Sequence, residues 1–127
     1  MDVNGRTVNF RRTVKANCIL AERAPGKDIR RYPELWEADN YTDSQLAAAF
    51  FIYALSEGYE SWKAYQDKEY IAHPLTVDEA MTLDEAVFNK LFEEAVTVYG
   101  SDGKTTVETQ PKRSKKKTGA VKALPSE

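Results

Sequence analysis

The chain is 127 residues long, 42% hydrophobic and 30% charged, with a formal net charge of −2 and a single cysteine. That length suits one domain with tails. Lone Cys18 excludes an internal disulfide framework, and no apolar run approaches the roughly 18 residues that a membrane-spanning helix needs.

Charge is unevenly spread. Residues 1–31 hold eight Lys/Arg against three Asp/Glu, residues 32–103 three against fifteen, and residues 104–127 seven against two. An acidic body between two basic ends suits docking between copies, basic end to acidic body, and suits nucleic acid equally well. The opening "MDVNGRTVNF" has no apolar segment of signal-peptide type, so a secretory leader is not expected there. A single cysteine fits a reducing, cytoplasmic setting, and Cys18 itself reads as a small buried hydrophobe.

Asn4-Gly5 between short β-prone pieces is a hairpin signal. Beyond it the even positions are apolar at Val8, Phe10, Val14, Ala16, Cys18 and Leu20, broken at Arg12. This predicts a strand, with a helix through Phe10, Val14 and Cys18 as the rival. "ERAPGKDIRRYPEL" interrupts the pattern at Pro25-Gly26 and Pro33 and reads as a charged loop. At "YTDSQLAAAF" the Thr42/Gln45 spacing predicts a capping box with Asp43 in the first turn. The helix that follows is apolar almost all round, so it should be central and buried, ending near Gly58. "EGYESWKAYQDK" predicts a further short helix presenting Tyr59, Trp62 and Tyr65, before Pro74.

"LTVDEAMTLDEAVF" repeats Thr-apolar-Asp-Glu-Ala at a six-residue offset, and both Thr76–Glu79 and Thr82–Glu85 have capping-box spacing. The second copy predicts the longest helix, from Leu83 to about Tyr99 and closed by Gly100. The first predicts either a single turn or a merger with that helix. At about 100° per residue, Val87, Phe88, Leu91, Phe92, Ala95, Val96, Val98 and Tyr99 cover half of the last helix. That is wider than a small core needs. A core that wraps the helix is one explanation; a self-association or client face built on Phe88, Phe92, Val96 and Tyr99, with Phe50 and Phe51 of the central helix, is the other. After "GSDG" the composition turns polar and lysine-rich, which predicts a disordered tail. Its basic arm is Lys112, Arg113, Lys115, Lys116 and Lys117.

Catalytic and cofactor signatures are not expected from these residues. Glu69 and His73 have a helical metal-pair spacing, but Pro74 follows and no second histidine exists. Adjacent carboxylates (Asp78-Glu79, Asp84-Glu85, Glu93-Glu94) diverge on a helix and read as caps and solvated surface. No glycine-rich phosphate loop or nucleophile elbow occurs. No enzyme, metal or cofactor is therefore expected. The tail could hold nucleic acid through counterion release, yet no aromatic interleaves its lysines to stack a base, and the body would repel phosphate.

The expected fold is thus mainly α: a helical domain over 1–103, with a hairpin and basic loop in 1–31 and a helical body over 42–99, then the tail over 104–127. Its size, the Asn-Gly start, the helical body ("YTDSQLAAAFFIYALSEGYESW", then "TLDEAVFNKLFEEAVTVYG") and the lysine-rich end together resemble the tail assembly chaperones of long-tailed, lambdoid bacteriophages. The resemblance implies a homo-oligomer in the host cytoplasm, absent from the virion. Such a protein binds the tape-measure protein and recruits tail-tube subunits. It also implies ribosomal slippage near the end of the reading frame, for which Lys115–Lys117 is the kind of run that an A-rich slippery sequence encodes. The alternative is a small DNA-associated or regulatory protein that uses the basic tail.

Overall fold

The computed structural model describes residues 1–101. The expected disordered tail over 104–127 and its basic arm (Lys112, Arg113, Lys115, Lys116, Lys117) lie outside the described residues. Within them the fold is mainly α, opened by a small hairpin. Strands β1 (Asp2–Val3) and β2 (Arg6–Thr7) pair antiparallel, Asp2 opposite Thr7 and Val3 opposite Arg6. Asn4 (φ 52°) and Gly5 (φ 81°) both take positive φ, the turn that Asn-Gly favours because it matches strand twist.

The expected strand over Val8–Leu20 does not form. Val8 and Phe10 are buried in a segment without regular secondary structure, and α1 begins at Val14 and runs to Arg23. Thr13 starts it, its hydroxyl accepting from the Ala16 amide at 3.1 Å. Buried Ala16 and Leu20 are four residues apart, which satisfies both a period of two and one helical turn. That coincidence misled the pattern. The rival helix does form from Val14 onward, but not with the expected face inward: Val14 is 78% exposed and Cys18 is exposed, so Cys18 is not a buried hydrophobe.

The "charged loop" contains 3₁₀ turns at Pro25–Lys27 and Ile29–Arg31, then the short α2 (Pro33–Trp36). It also contributes Tyr32 to the core, where the phenol donates to the Ala47 carbonyl at 2.7 Å. Helix α3 (Tyr41–Gln66) is the centre of the fold, and α1, α2, α4 (Val77–Met81) and α5 (Glu85–Gly100) all pack on it. Its cap is Asn40, accepting from the Asp43 amide at 2.9 Å, and not Thr42. It does not stop at Gly58 but continues through the predicted short helix. A Cβ at Gly58 would stand 2.4 Å from the Arg11 carbonyl oxygen, so this glycine permits a helix crossing and does not end the helix. Ala48, Ala49, Ile52, Leu55 and Phe51 line the buried side, each large apolar residue contributing about 1.5–3 kcal/mol on burial.

The two Thr-apolar-Asp-Glu-Ala repeats behave differently. Thr76 and Glu79 form a reciprocal capping box that starts the one-turn α4. Thr82 does not start α5 but closes α4 as its C-cap, its hydroxyl donating back to the Glu79 carbonyl, and α5 begins later, with Asp84 at its N-cap position. Helix α5 is 16 residues long and α3 is 26, so the longest helix is α3.

Candidate binding surface

Helix α5 packs Phe88, Leu91, Ala95 and Val98 into the core. Val87, Phe92, Val96 and Tyr99 are half-buried along the rim of that stripe. The structure therefore divides the expected contact face. Phe88 is 6% exposed and Phe51 2%, so both belong to the core and neither is offered to a partner in this conformation. Trp36 of α2 makes edge contacts with both Phe92 (5.0 Å between ring centroids) and Phe51 (4.9 Å), and Phe51 reaches Tyr99 at 5.4 Å. Such pairs add about 0.5–1.5 kcal/mol beyond their area. Part of the apolar breadth read from the sequence is thus a core that wraps α5 with the aromatic residues of α2 and α3.

The cations of residues 1–31 fall into two groups. Five have carboxylate partners: Arg6 with Glu79 (3.5 Å), Lys15 with Glu57 (2.9 Å), Lys27 with Glu22 (2.8 Å), Arg30 with Asp28 (3.0 Å) and Arg31 with Glu34 (3.0 Å). Arg11, Arg12 and Arg23 have no carboxylate at ion-pair distance among the described residues. Their guanidinium carbons lie over aromatic rings, Arg11 over Trp62 (3.9 Å), Arg12 over Tyr99 (4.6 Å) and Arg23 over Phe50 (3.7 Å). Phe50 and Tyr99, two of the expected contact residues, accordingly sit beneath arginines. Arg12 also donates to the Tyr99 carbonyl at 2.8 Å, satisfying a carbonyl of the last turn of α5.

Burial alone would raise the Glu57 carboxyl. Hydrogen bonds from Lys15 and Ser61, with the Lys15 charge, outweigh it and hold the group below the usual range.

A second polar centre was not foreseen. Glu60, only 5% exposed, accepts from the Tyr70 hydroxyl at 2.6 Å and from the His73 amide at 2.9 Å. Burial, followed by the hydrogen bond to Glu60, pushes the Tyr70 phenol up to about 12. One turn earlier, buried Ser56 accepts from the Leu75 amide at 2.8 Å. Arg6 donates to the His73 carbonyl, so the segment after α3 is fastened to both α3 and the hairpin. Ser56 and Glu60, four apart on an apolar helix face, were the available signal. His73 and Glu69 are both exposed on a non-helical segment, so the helical metal-pair spacing does not exist. Among the described residues no three His, Cys, Asp or Glu side chains converge to hold a metal ion.

An open cleft of about 220 Å³ lies between Arg23, Glu34, Leu35, Ala38, Asp43, Leu46 and Ala47. It is smaller than a typical small-molecule site of roughly 300–1,000 Å³. No helix among the described residues is long and apolar enough to cross a membrane. No known protein family matches this chain, and neither a curated protein nor a solved structure is significantly similar to it.

Proposed function

We propose that this protein acts by binding and not by catalysis, as a tail assembly chaperone of the long-tailed phage kind. In this reading it oligomerises in the host cytoplasm and coats the tape-measure protein. Its apolar rim keeps that extended helical client from aggregating, and it recruits tail-tube subunits before leaving the growing tube. A long client presents many similar weak sites, and a small module in many copies meets them by multivalency.

The observation that carries the reading is the rim of α5. Val87, Phe92 and Val96 remain partly exposed although the buried stripe already supplies the core contacts of that helix. Partly exposed apolar side chains lined along one helix suit a second helix laid beside it, the helix-in-groove mode of recognition. The mainly α architecture with its Asn-Gly hairpin supports the resemblance on which the client is named. The DNA-associated alternative draws on the basic tail, and among the described residues only the carboxylate-free arginines Arg11, Arg12 and Arg23 would add to it.

Co-expression with a tape-measure protein tests the reading. Wild type should hold the client in the soluble fraction. Val87→Ser with Val96→Ser should lose that ability while keeping its helical circular dichroism, because Phe88, Leu91, Ala95 and Val98 are untouched. Equal solubilisation by the folded double variant would remove α5 as the client face.

A further inference from the structure

The two ends of α5 differ in charge and in what surrounds them. At its C-terminal end the segment ahead of α1 places Arg11 over Trp62 and Arg12 over Tyr99. The Arg11 guanidinium has no carboxylate at ion-pair distance among the described residues and is held by the Trp62 ring, while Arg12 commits one nitrogen to the Tyr99 carbonyl. At the N-terminal end, the Tyr41 hydroxyl donates to Glu85 at 3.3 Å and holds the starts of α3 and α5 together. Asp39, Asp84 and Glu85 are exposed there, with no cation at ion-pair distance among the described residues. Each end also carries an exposed apolar residue, Val14 (78%) beside the arginines and Tyr41 (65%) beside the acids. The ends are roughly 24 Å apart, at about 1.5 Å per residue over the 16 residues of α5.

We propose that copies of this chain dock head to tail, the Arg11–Arg12 end of one against the Asp39, Asp84 and Glu85 end of the next. The inference rests on the reading that the protein self-associates, and it names the surfaces. An arginine already stacked on an aromatic ring is ordered before docking, so it loses little side-chain freedom when a carboxylate arrives. Its partner charges lie on the same chain but at the other end of a rigid helix, out of reach within one copy. Val14 and Tyr41 supply apolar contact within the charged rim. Because the two surfaces differ, the contact is heterologous and repeats into a ring or a filament, and does not close as a two-fold dimer.

Two neutralised variants of the full chain test this by sedimentation velocity at low salt. One is Arg11→Gln with Arg12→Gln; the other is Asp39→Asn with Asp84→Asn and Glu85→Gln. Each keeps one live end. Each alone should associate more weakly than wild type, on the order of tenfold or more in dissociation constant. Mixed one to one, they should form dimers and nothing larger, since each dimer ends in two neutralised faces. If wild type assembles and both folded variants assemble as it does, these surfaces are not the interface although self-association stands. If wild type is monomeric throughout, the self-association reading itself fails. Assembly that appears only with added duplex DNA would assign the arginines to phosphate and overturn the proposal. Should either multiple variant lose its helical signal, Arg12→Gln alone and Glu85→Gln alone serve in its place, with the same ordering expected.

Discussion

Gly58 of α3 lies directly against the backbone of Arg11, so closely that any Cβ there would meet the Arg11 carbonyl oxygen at 2.4 Å and the Thr13 hydroxyl at 2.9 Å. The Arg11 amide donates to the Leu55 carbonyl at 3.1 Å, so the crossing segment is bonded to α3 at the point where it is pressed closest. This contact brings Arg11 over Trp62 and sends Arg12 toward α5.

Gly58→Ala should therefore destabilise the protein, although alanine is the better helix former by about 1 kcal/mol. Overpacking against backbone costs roughly 1–3 kcal/mol. Urea unfolding followed by circular dichroism measures the balance. A Gly58→Ala protein as stable as wild type would mean that the crossing is not tight.

The two threonine repeats give a paired test. Thr76→Ala removes a side chain engaged in a reciprocal box and should cost about 0.5–2 kcal/mol. Thr82→Ala removes only an exposed bond to the Glu79 carbonyl and should stay within about 0.5 kcal/mol. Equal losses in thermal unfolding would restore Thr82 as a helix N-cap.

Alkaline stability should depend on Tyr70. Its phenol is raised from 10.0 to about 12 in the folded state, first by burial and then by Glu60. The folded protein thus holds this proton more tightly than the unfolded chain does. The contribution is complete below pH 10 and is lost as pH rises toward 12. Tyr70→Phe should lose part of that alkaline decline, and near neutrality it should also lose about 1–3 kcal/mol as buried Glu60 forfeits a donor. An unchanged stability profile from pH 7 to 12 would rule out the Glu60–Tyr70 bond.

Salt should weaken self-assembly. Residues 1–31 carry an excess of cations and residues 32–103 an excess of acids, and the Debye length falls to roughly 8 Å at physiological ionic strength. Sedimentation at increasing salt should show smaller species. Assembly that grows steadily with salt would indicate a purely apolar contact.

What could be read from the sequence was local. Asn4-Gly5 specified its turn because only such residues adopt two successive positive φ values cheaply, and Thr76/Glu79 specified a cap within four residues. The wide apolar circumference of "LAAAFFIYAL" placed α3 at the centre. The errors came where local signals competed with tertiary contact. Gly58 looked like a stop because the chain that presses on it arrives from 47 residues earlier. Phe88 and Phe92 looked alike on a helical wheel, yet Trp36 and Phe51 enclose that flank from elements whose approach no periodicity records. The arginine–aromatic pairs were invisible for the same reason, since each joins the chain around α1 to α3 or α5.

The most direct measurement of the central claim uses purified components. A tape-measure protein is diluted from denaturant into buffer, with or without this chain, and its aggregation is followed by light scattering. The account predicts that scattering falls in proportion to the chain added until the client is covered. It also predicts that the Val87→Ser, Val96→Ser variant, folded to the same helicity, leaves scattering high. Scattering unaffected by an excess of folded wild-type chain would contradict the account.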